Sequence, residues 1–282
     1  MQTWQLHREA ADYPRALADC PAPPRLLWAR GNLALLEQPC VAIVGTRRAT
    51  AYGERITREL SRTLARAGAC VVSGLARGID AAAHAGALEV RGATVAVLGT
   101  GLDVAFPRGH AALQERIAAD GLLLTEQAPT DRAHGGSFPR RNRIIAAIAS
   151  VTIVVEAGVK SGALITAAHA LEMGRTVAAL PGPIDSPQAQ GSNELLRDGA
   201  TMIASVADAL ALVGLTAPLR REALPTDGIE RTVWDALAAG PADMDALCSR
   251  AKLPASAALA AVSALEVTGF VTCDFDGTVR RS

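Results

Sequence analysis

Lysine is nearly absent from this 282-residue chain: of its 28 basic residues only Lys160 and Lys252 are lysine, and the rest are arginine. Much of that bias reads as genomic base composition, so a single arginine is weak evidence for a bidentate anion contact. Net charge is lacking too. The formal charge is zero, so no overall basic field points to a nucleic-acid partner, and any polyanion site must be local. Aromatic residues are scarce at 3%, with only four phenylalanines. The five cysteines are scattered, with no C-x-x-C and no histidine at zinc-ligand spacing. That excludes a disulfide framework and a zinc site, and predicts buried reduced thiols. There is no run of about 18 apolar residues, and no basic segment followed by an apolar one at the N-terminus. The expected location is the cytoplasm, with no membrane contact.

The sequence is rich in short apolar runs that alternate with helical patterns from Val41 to about Val213. This is the signature of βαβ units and a parallel sheet. The predicted strands are Val41–Val44, Cys70–Ser73, Thr94–Leu98, Leu122–Thr125, Val151–Glu156 and Thr176–Leu180. Each is a continuous apolar run, as expected of strands covered on both faces. The predicted helices are Gly53–Ala67, Ala81–Val90, His110–Ala119, Asn142–Ala149, Ser161–Met173 and Asn193–Arg197. The fold class is α/β, an extended Rossmann-like parallel sheet core (36–215) with a small C-terminal winged-helix domain (229–282). Residues 1–35, Pro-rich and irregular, read as a lead-in segment packed on the core, and 216–228 as a linker. The winged-helix reading rests on three short helices followed by a hairpin with an Asp276-Gly277 turn.

In such sheets ligands bind outside the carboxyl ends of the strands, so the loops there carry the functional reading. "VAIVGTRRATAYG" ends a strand at Gly45 and offers Thr46, Arg47 and Arg48 before a helix whose N-terminus can take phosphate. "VVSGLARGIDAAAHAGAL" repeats this geometry with Gly74, Arg77 and Gly78; Asp80 is placed to cap the next helix and His84 to be a packed histidine. "LGTGLDVAFPRGHAALQ" presents Phe106, Pro107 and Arg108, with Asp103 as a local turn former. "SFPRRNRIIAAIAS" packs Arg140, Arg141, Asn142 and Arg143 behind Phe138, and "EAGVKSGALITAAHALEMGR" starts a helix with Lys160, Ser161 and Gly162. Neither G-x-G-x-x-G nor G-x-x-x-x-G-K-[ST] occurs, so the dinucleotide fingerprint and the P-loop are excluded. A net-neutral protein that gathers Arg47, Arg77, Arg108, Arg140, Arg141, Arg143 and Lys160 at one sheet edge is building a polyanion site. Asp103, Glu126, Glu156 and Asp185 each lie in a different loop with no sign of pairing, so the site reads as binding without catalysis.

Those five loops, with "ALPGPIDSPQAQGSNELLRDGA" after them, resemble the DprA/Smf family, DNA-processing protein A, over about residues 13 to 210. The resemblance implies a Rossmann core that binds single-stranded DNA, protects incoming strands and loads the recombinase RecA on them during natural transformation, working as a dimer. It implies no cofactor and no enzymatic activity. It places the family's anion pocket on Arg47, with Thr46 where serine is usual, and on Arg108, where lysine is common. It makes Phe138, Arg141, Asn142 and Arg143 the aromatic and the Arg-Asn-Arg motif; cations along phosphates and an aromatic under a base are what a single strand needs. Many relatives carry a helical domain before the core, where this sequence has some 35 residues. The third helix of the winged-helix domain, "PASAALAAVSALEVTG", has no Lys or Arg and cannot read base edges, which points to protein contact or regulation. The alternative reading is a nucleotide phosphoribohydrolase on a related sheet, which needs a P-G-G-x-G-T string and a following Glu where this chain has "EAGVKSGALITAAHA".

Overall fold

The computed structural model describes all residues except 1–2, 11, 18–19, 21, 217–227, 268–269, 275–276 and 282, together with the side chain of residue 267. The chain forms two compact units, Met1–Ala217 and Pro218–Ser282. Nearly all of the expected linker, and the Asp of the expected Asp-Gly turn, lie outside the described residues.

In the first unit the strands are β1 (Thr3–His7), β2 (Leu26–Gly31), β3 (Cys40–Val44), β4 (Cys70–Ser73), β5 (Thr94–Val97), β6 (Leu122–Thr125), β7 (Val151–Val154), β8 (Thr176–Ala179) and β9 (Thr201–Met202). The helices are α1 (Ala51–Arg66), α2 (Ile79–Glu89), α3 (Ala111–Asp120), α4 (Ser137–Ile148), α5 (Gly162–Glu172), α6 (Gln190–Arg197) and α7 (Val206–Leu212). The sheet order is β1-β2-β6-β5-β4-β3-β7-β8-β9, parallel from β6 to β9. Strand order reverses between β3 and β7, the position where a doubly wound sheet opens a crevice for ligand. Along β3 the side chains alternate between two cores: Val41 and Ile43 meet α1, α2 and α7, whereas Ala42 and Val44 meet α4 and α5. Both faces of β3 are therefore dry, and all five of its residues are apolar.

The first 35 residues are not an irregular lead-in. They supply β1 and β2, an antiparallel pair that joins the sheet where Trp28–Gly31 lie antiparallel to Leu122–Thr125 of β6. Helix α4 also begins five residues before the expected start, with Ser137, Phe138 and Pro139 in its first turn. Pro139 costs nothing there, because the first N–H groups of a helix have no intrahelical partner. Of the five thiols, Cys20, Cys40 and Cys70 are buried as expected, but Cys273 is exposed and Cys248 half-buried.

The second unit comprises α8 (Gly228–Ala236), α9 (Met244–Ala251), α10 (Ala255–Val267), β10 (Val271–Cys273) and β11 (Val279–Arg281), the last two antiparallel. Val233, Leu237, Leu247, Val262 and Leu265 form its core. Its wing arginines are already engaged: Arg280 pairs with Asp274 at 2.8 Å, and Arg281 lies over the Trp234 ring, 4.3 Å from its centroid.

Candidate nucleic-acid interface

At the switch point the three loops that follow β3, β4 and β7 are stitched together through their backbones. The N–H of Thr46 donates to the carbonyl of Glu156 (2.7 Å), and that of Ile79 to the carbonyl of Thr46 (3.3 Å). Gly78 is required at this crossing: it has φ of +72°, and a Cβ there would lie 2.4 Å from the Thr46 carbonyl oxygen. Thr46 turns its hydroxyl inward to accept from the Arg48 N–H (3.2 Å), which fixes the loop carrying both arginines.

Asp80 does not cap its helix. The N-cap of α2 is Gly78, and Asp80 sits in the first turn with its carboxylate reaching back to accept from the N–H groups of Gly74 (3.1 Å) and Ala76 (3.4 Å). Between those two lies Leu75, whose φ of +56° is unusual for a branched side chain. The Asp80 bonds on either side, and His110 against the Leu75 carbonyl at 3.0 Å, hold it there. Burial pushes the Asp80 carboxyl above its ordinary value, against the pull of Arg141 and the two N–H groups. His84 is the packed histidine expected, buried with Nδ1 2.8 Å from Thr94 Oγ1.

The arginines after Phe138 serve three different ends. Arg141 is buried and donates to the carbonyls of Gly74 (2.7 Å) and Val97, at the carboxyl ends of β4 and β5. Burial holds its guanidinium down to about 10. Arg143 does not face the strand ends as expected. Its side chain is 8% exposed and donates to Glu126 (2.6 Å), with Cys20 beside it, so it lines no cleft. Arg140, 64% exposed, pairs with the other oxygen of Glu126 at 3.1 Å. Replacing Arg143 by alanine should therefore act on folding and not on a ligand. The expected loss is about 2 kcal/mol of stability, below the usual figure for halving a buried pair because Arg140 stays with Glu126. Urea denaturation reads it directly, and an unchanged midpoint would refute the burial argument.

Two helix N-termini meet at the switch point, and only one is open. That of α1, the expected phosphate site after Gly45, is filled by Glu156, whose carboxylate accepts from the Thr50 N–H (2.9 Å) and the Thr50 hydroxyl (2.5 Å). A second anion there would meet the first. That of α5 is capped only by Ser161, whose hydroxyl accepts from the Ala163 N–H (3.3 Å). Asn142, bonded through Nδ2 to the Gly162 carbonyl (3.0 Å), fixes its position against α4.

Above these groups runs a cleft in two parts. The larger, about 680 Å³, is lined by Thr46, Arg47, Arg48, Asn142, Lys160, Ser161 and Gly162 among others. The smaller, about 350 Å³, is lined by Arg47, Arg48, Gly74, Arg77, Phe106 and Phe138 among others, and Phe138 and Arg141 are common to both. Arg108 is exposed nearby but lines neither. Arg47, Arg48, Arg77, Arg108 and Lys160 have no ion pair among the described residues, whereas Glu126 and Asp103 are paired with arginines. Arg48 and Phe106, which the loop sequences offered beside Arg47 and Pro107 but the family motif did not assign to the pocket, line the cleft as well.

Among the described residues no group of His, Cys, Asp and Glu is arranged to hold a metal ion, and no helix is long and apolar enough to cross a membrane. Comparison with known proteins places this chain in a family. Residues 4–214 match the model of DNA recombination-mediator protein A, and residues 217–275 that of the DprA winged helix domain. Protein Smf of a Synechocystis strain is 47% identical over 207 residues, covering 72% of this chain and 52% of that protein. A Mycobacterium tuberculosis protein bearing the DprA name is 42% identical over 265 residues, covering 90% of this chain and 68% of its own length. The X-ray structure of DNA processing protein A from Streptococcus pneumoniae superposes with a TM-score of 0.72 at 40% identity, over 75% of this chain and 74% of that one. A structure of DNA processing protein A from Helicobacter pylori, described for its single-stranded DNA binding mode, gives a TM-score of 0.68 at 34% identity, over 75% of this chain and 95% of that one. The chain belongs to the DprA/Smf family, the DNA recombination-mediator proteins A.

Proposed function

We propose that this protein binds single-stranded DNA in the cleft at the carboxyl ends of β3, β4, β5 and β7, and does so without catalysis. The observation that carries the reading is a set of cations left unpaired in a net-neutral chain. Arg47, Arg48, Arg77 and Lys160 border one continuous cleft and have no carboxylate partner among the described residues. Unpaired cations along a groove, next to exposed aromatic surface, suit a phosphodiester backbone whose bases are free. One phosphate fits the open N-terminus of α5, where Lys160 and Ser161 add charge and a hydroxyl to the helix dipole. Arg47, Arg77 and Arg108 follow along the strand, and the Helicobacter pylori relative's single-stranded DNA binding supports the choice of ligand. Arg141, Asn142 and Gly74 build the floor, Thr46 and Gly162 shape the loops, Phe138 backs the aromatic wall of the cleft, and Arg140 and Arg143 act through Glu126.

The acidic groups nearest the cleft are occupied, Asp80 by backbone N–H groups and Glu156 by the start of α1, so neither is free to activate water. A cytoplasmic recombination mediator, acting as a homodimer that protects incoming strands and loads RecA on them, is the family role we assign. The winged-helix unit, with no basic residue on α10 and its wing arginines engaged, is assigned to protein contact.

Fluorescence anisotropy with labelled dT oligomers tests the reading. The parent should bind them more tightly than duplex, with affinity falling as salt rises. Arg47→Ala should lose about 1–3 kcal/mol of binding with its thermal midpoint unmoved, since Arg47 is exposed and forms no ion pair. Parent-like binding by that variant would remove the pocket assignment.

A further inference from the structure

Phe138 is the aromatic the motif offers for base stacking, yet its ring is already flanked. The Arg47 guanidinium lies over it, 5.4 Å from the centroid, and the ring of Phe106 packs on it at 5.0 Å with a 35° tilt. Its edge is turned toward Gly99, where a Cβ would come within 2.7 Å. A base could stack on Phe138 only by displacing one of these neighbours. Phe106 differs in one respect: it is 44% exposed, although it has Phe138 behind it. In a chain with four phenylalanines, two are in contact at the mouth of one cleft. Burying so little of a large apolar ring forgoes stabilisation, which makes exposed aromatic surface at a binding cleft informative.

We infer that Phe106 is the platform of a nucleobase subsite in the smaller, 350 Å³ part of the cleft, with Phe138 and Arg47 as its fixed backing. The ligand class is an unpaired base of a single strand, so the inference rests on the function proposed above. The volume suits one base with its sugar. Pro107, adjoining the ring, restricts the backbone that carries it, and Arg77 lies in the same cavity wall for the attached phosphate. Stacking needs only a π-face, so the subsite should accept every base, with little sequence preference. The three-part arrangement also orders the cation: Arg47 is held against Phe138 before any strand arrives, and reaches phosphate from a limited set of positions.

The experiment compares two labelled oligomers of equal length, one of dT and one whose central residues are abasic, so that phosphates are kept and bases removed. For the parent, the abasic oligomer should bind about tenfold more weakly. Phe106→Ala should lose about tenfold on dT and almost nothing on the abasic oligomer, so that the two ligands converge. Phe106→Trp should restore the difference. Phe106 is exposed on a loop, and unchanged urea denaturation of each variant verifies folding. If Phe106→Ala binds dT as the parent does, or loses equally on both oligomers, the subsite is not at Phe106. If the parent itself fails to bind dT, the failure belongs to the proposed function, which takes this inference with it.

Discussion

Arg141→Ala is expected to lower the free energy of unfolding by about 4 kcal/mol, and oligonucleotide binding should fall with it. The side chain is buried, and its guanidinium spans the carboxyl ends of two neighbouring strands through the carbonyls of Gly74 and Val97. Truncation leaves both acceptors without that donor at the floor of the cleft, where Arg141 is only 4% exposed and each loss is costly. It also removes the positive charge that draws the buried Asp80 carboxyl down, and Asp80 in turn holds the loop through Gly74 and Ala76. A void the size of the side chain adds to the cost. Lysine should not rescue, because a point charge cannot reproduce a planar fork set between two carbonyls. Equilibrium urea denaturation measures the effect, and a loss below about 1 kcal/mol would mean that Arg141 is a ligand contact and not a clamp. Arg47→Ala supplies the contrast, with binding lost and stability kept.

That contrast marks how far the motif could be read from its sequence. Clustered arginines suggested an anion site, and the strand ends put it at the edge of the sheet where the cleft lies. The division of labour within the cluster was not legible, because each arginine's partner lies far along the chain. Glu126 is 17 residues from Arg143, Val97 is 44 from Arg141, and Glu156 is 106 from the Thr50 it binds. Local pattern fixes which residues are apolar, and so revealed the core strands β3 to β8 closely. It does not reveal which polar groups meet across loops. The same limit hid β1 and β2, whose place depends on β6 nearly a hundred residues later, and whose short runs sit among prolines. Pro139 misled in a different way, since a proline in the first turn of a helix looks like a break unless the helix start is known.

His84 should make the protein acid-labile in a way that one substitution removes. Thr94 spends its hydroxyl hydrogen on the Val71 carbonyl (2.8 Å), so the contact between His84 Nδ1 and Thr94 Oγ1 assigns the proton to Nδ1. Nε2 is then a bare acceptor, buried and with no partner among the described residues. Protonating it would bury both a charge and an unsatisfied donor. Burial, with Arg141 and then His110 adding repulsion, holds the imidazole down to about 3 from its ordinary 6.5. The sign follows: the unfolded chain takes up a proton as pH falls through 6.5 and the folded one does not, so stability present above 6.5 is lost on the way to 3. The slope is about 1.4 kcal/mol per pH unit, or about 3 kcal/mol by pH 4.5. Asp80, raised by burial, works in the opposite direction, but it does so equally in parent and variant. Comparing His84→Gln with the parent isolates the term, because the amide keeps a donor for Thr94 and does not titrate. Urea midpoints at pH 7, 5.5 and 4.5 should converge or cross as the parent loses stability and the variant loses about 3 kcal/mol less. Parallel profiles would mean that His84 is hydrated in the folded protein. Because α2 begins with the Asp80 turn that shapes the cleft, binding of single strands should weaken in the same acid range for the parent and persist to lower pH in the variant.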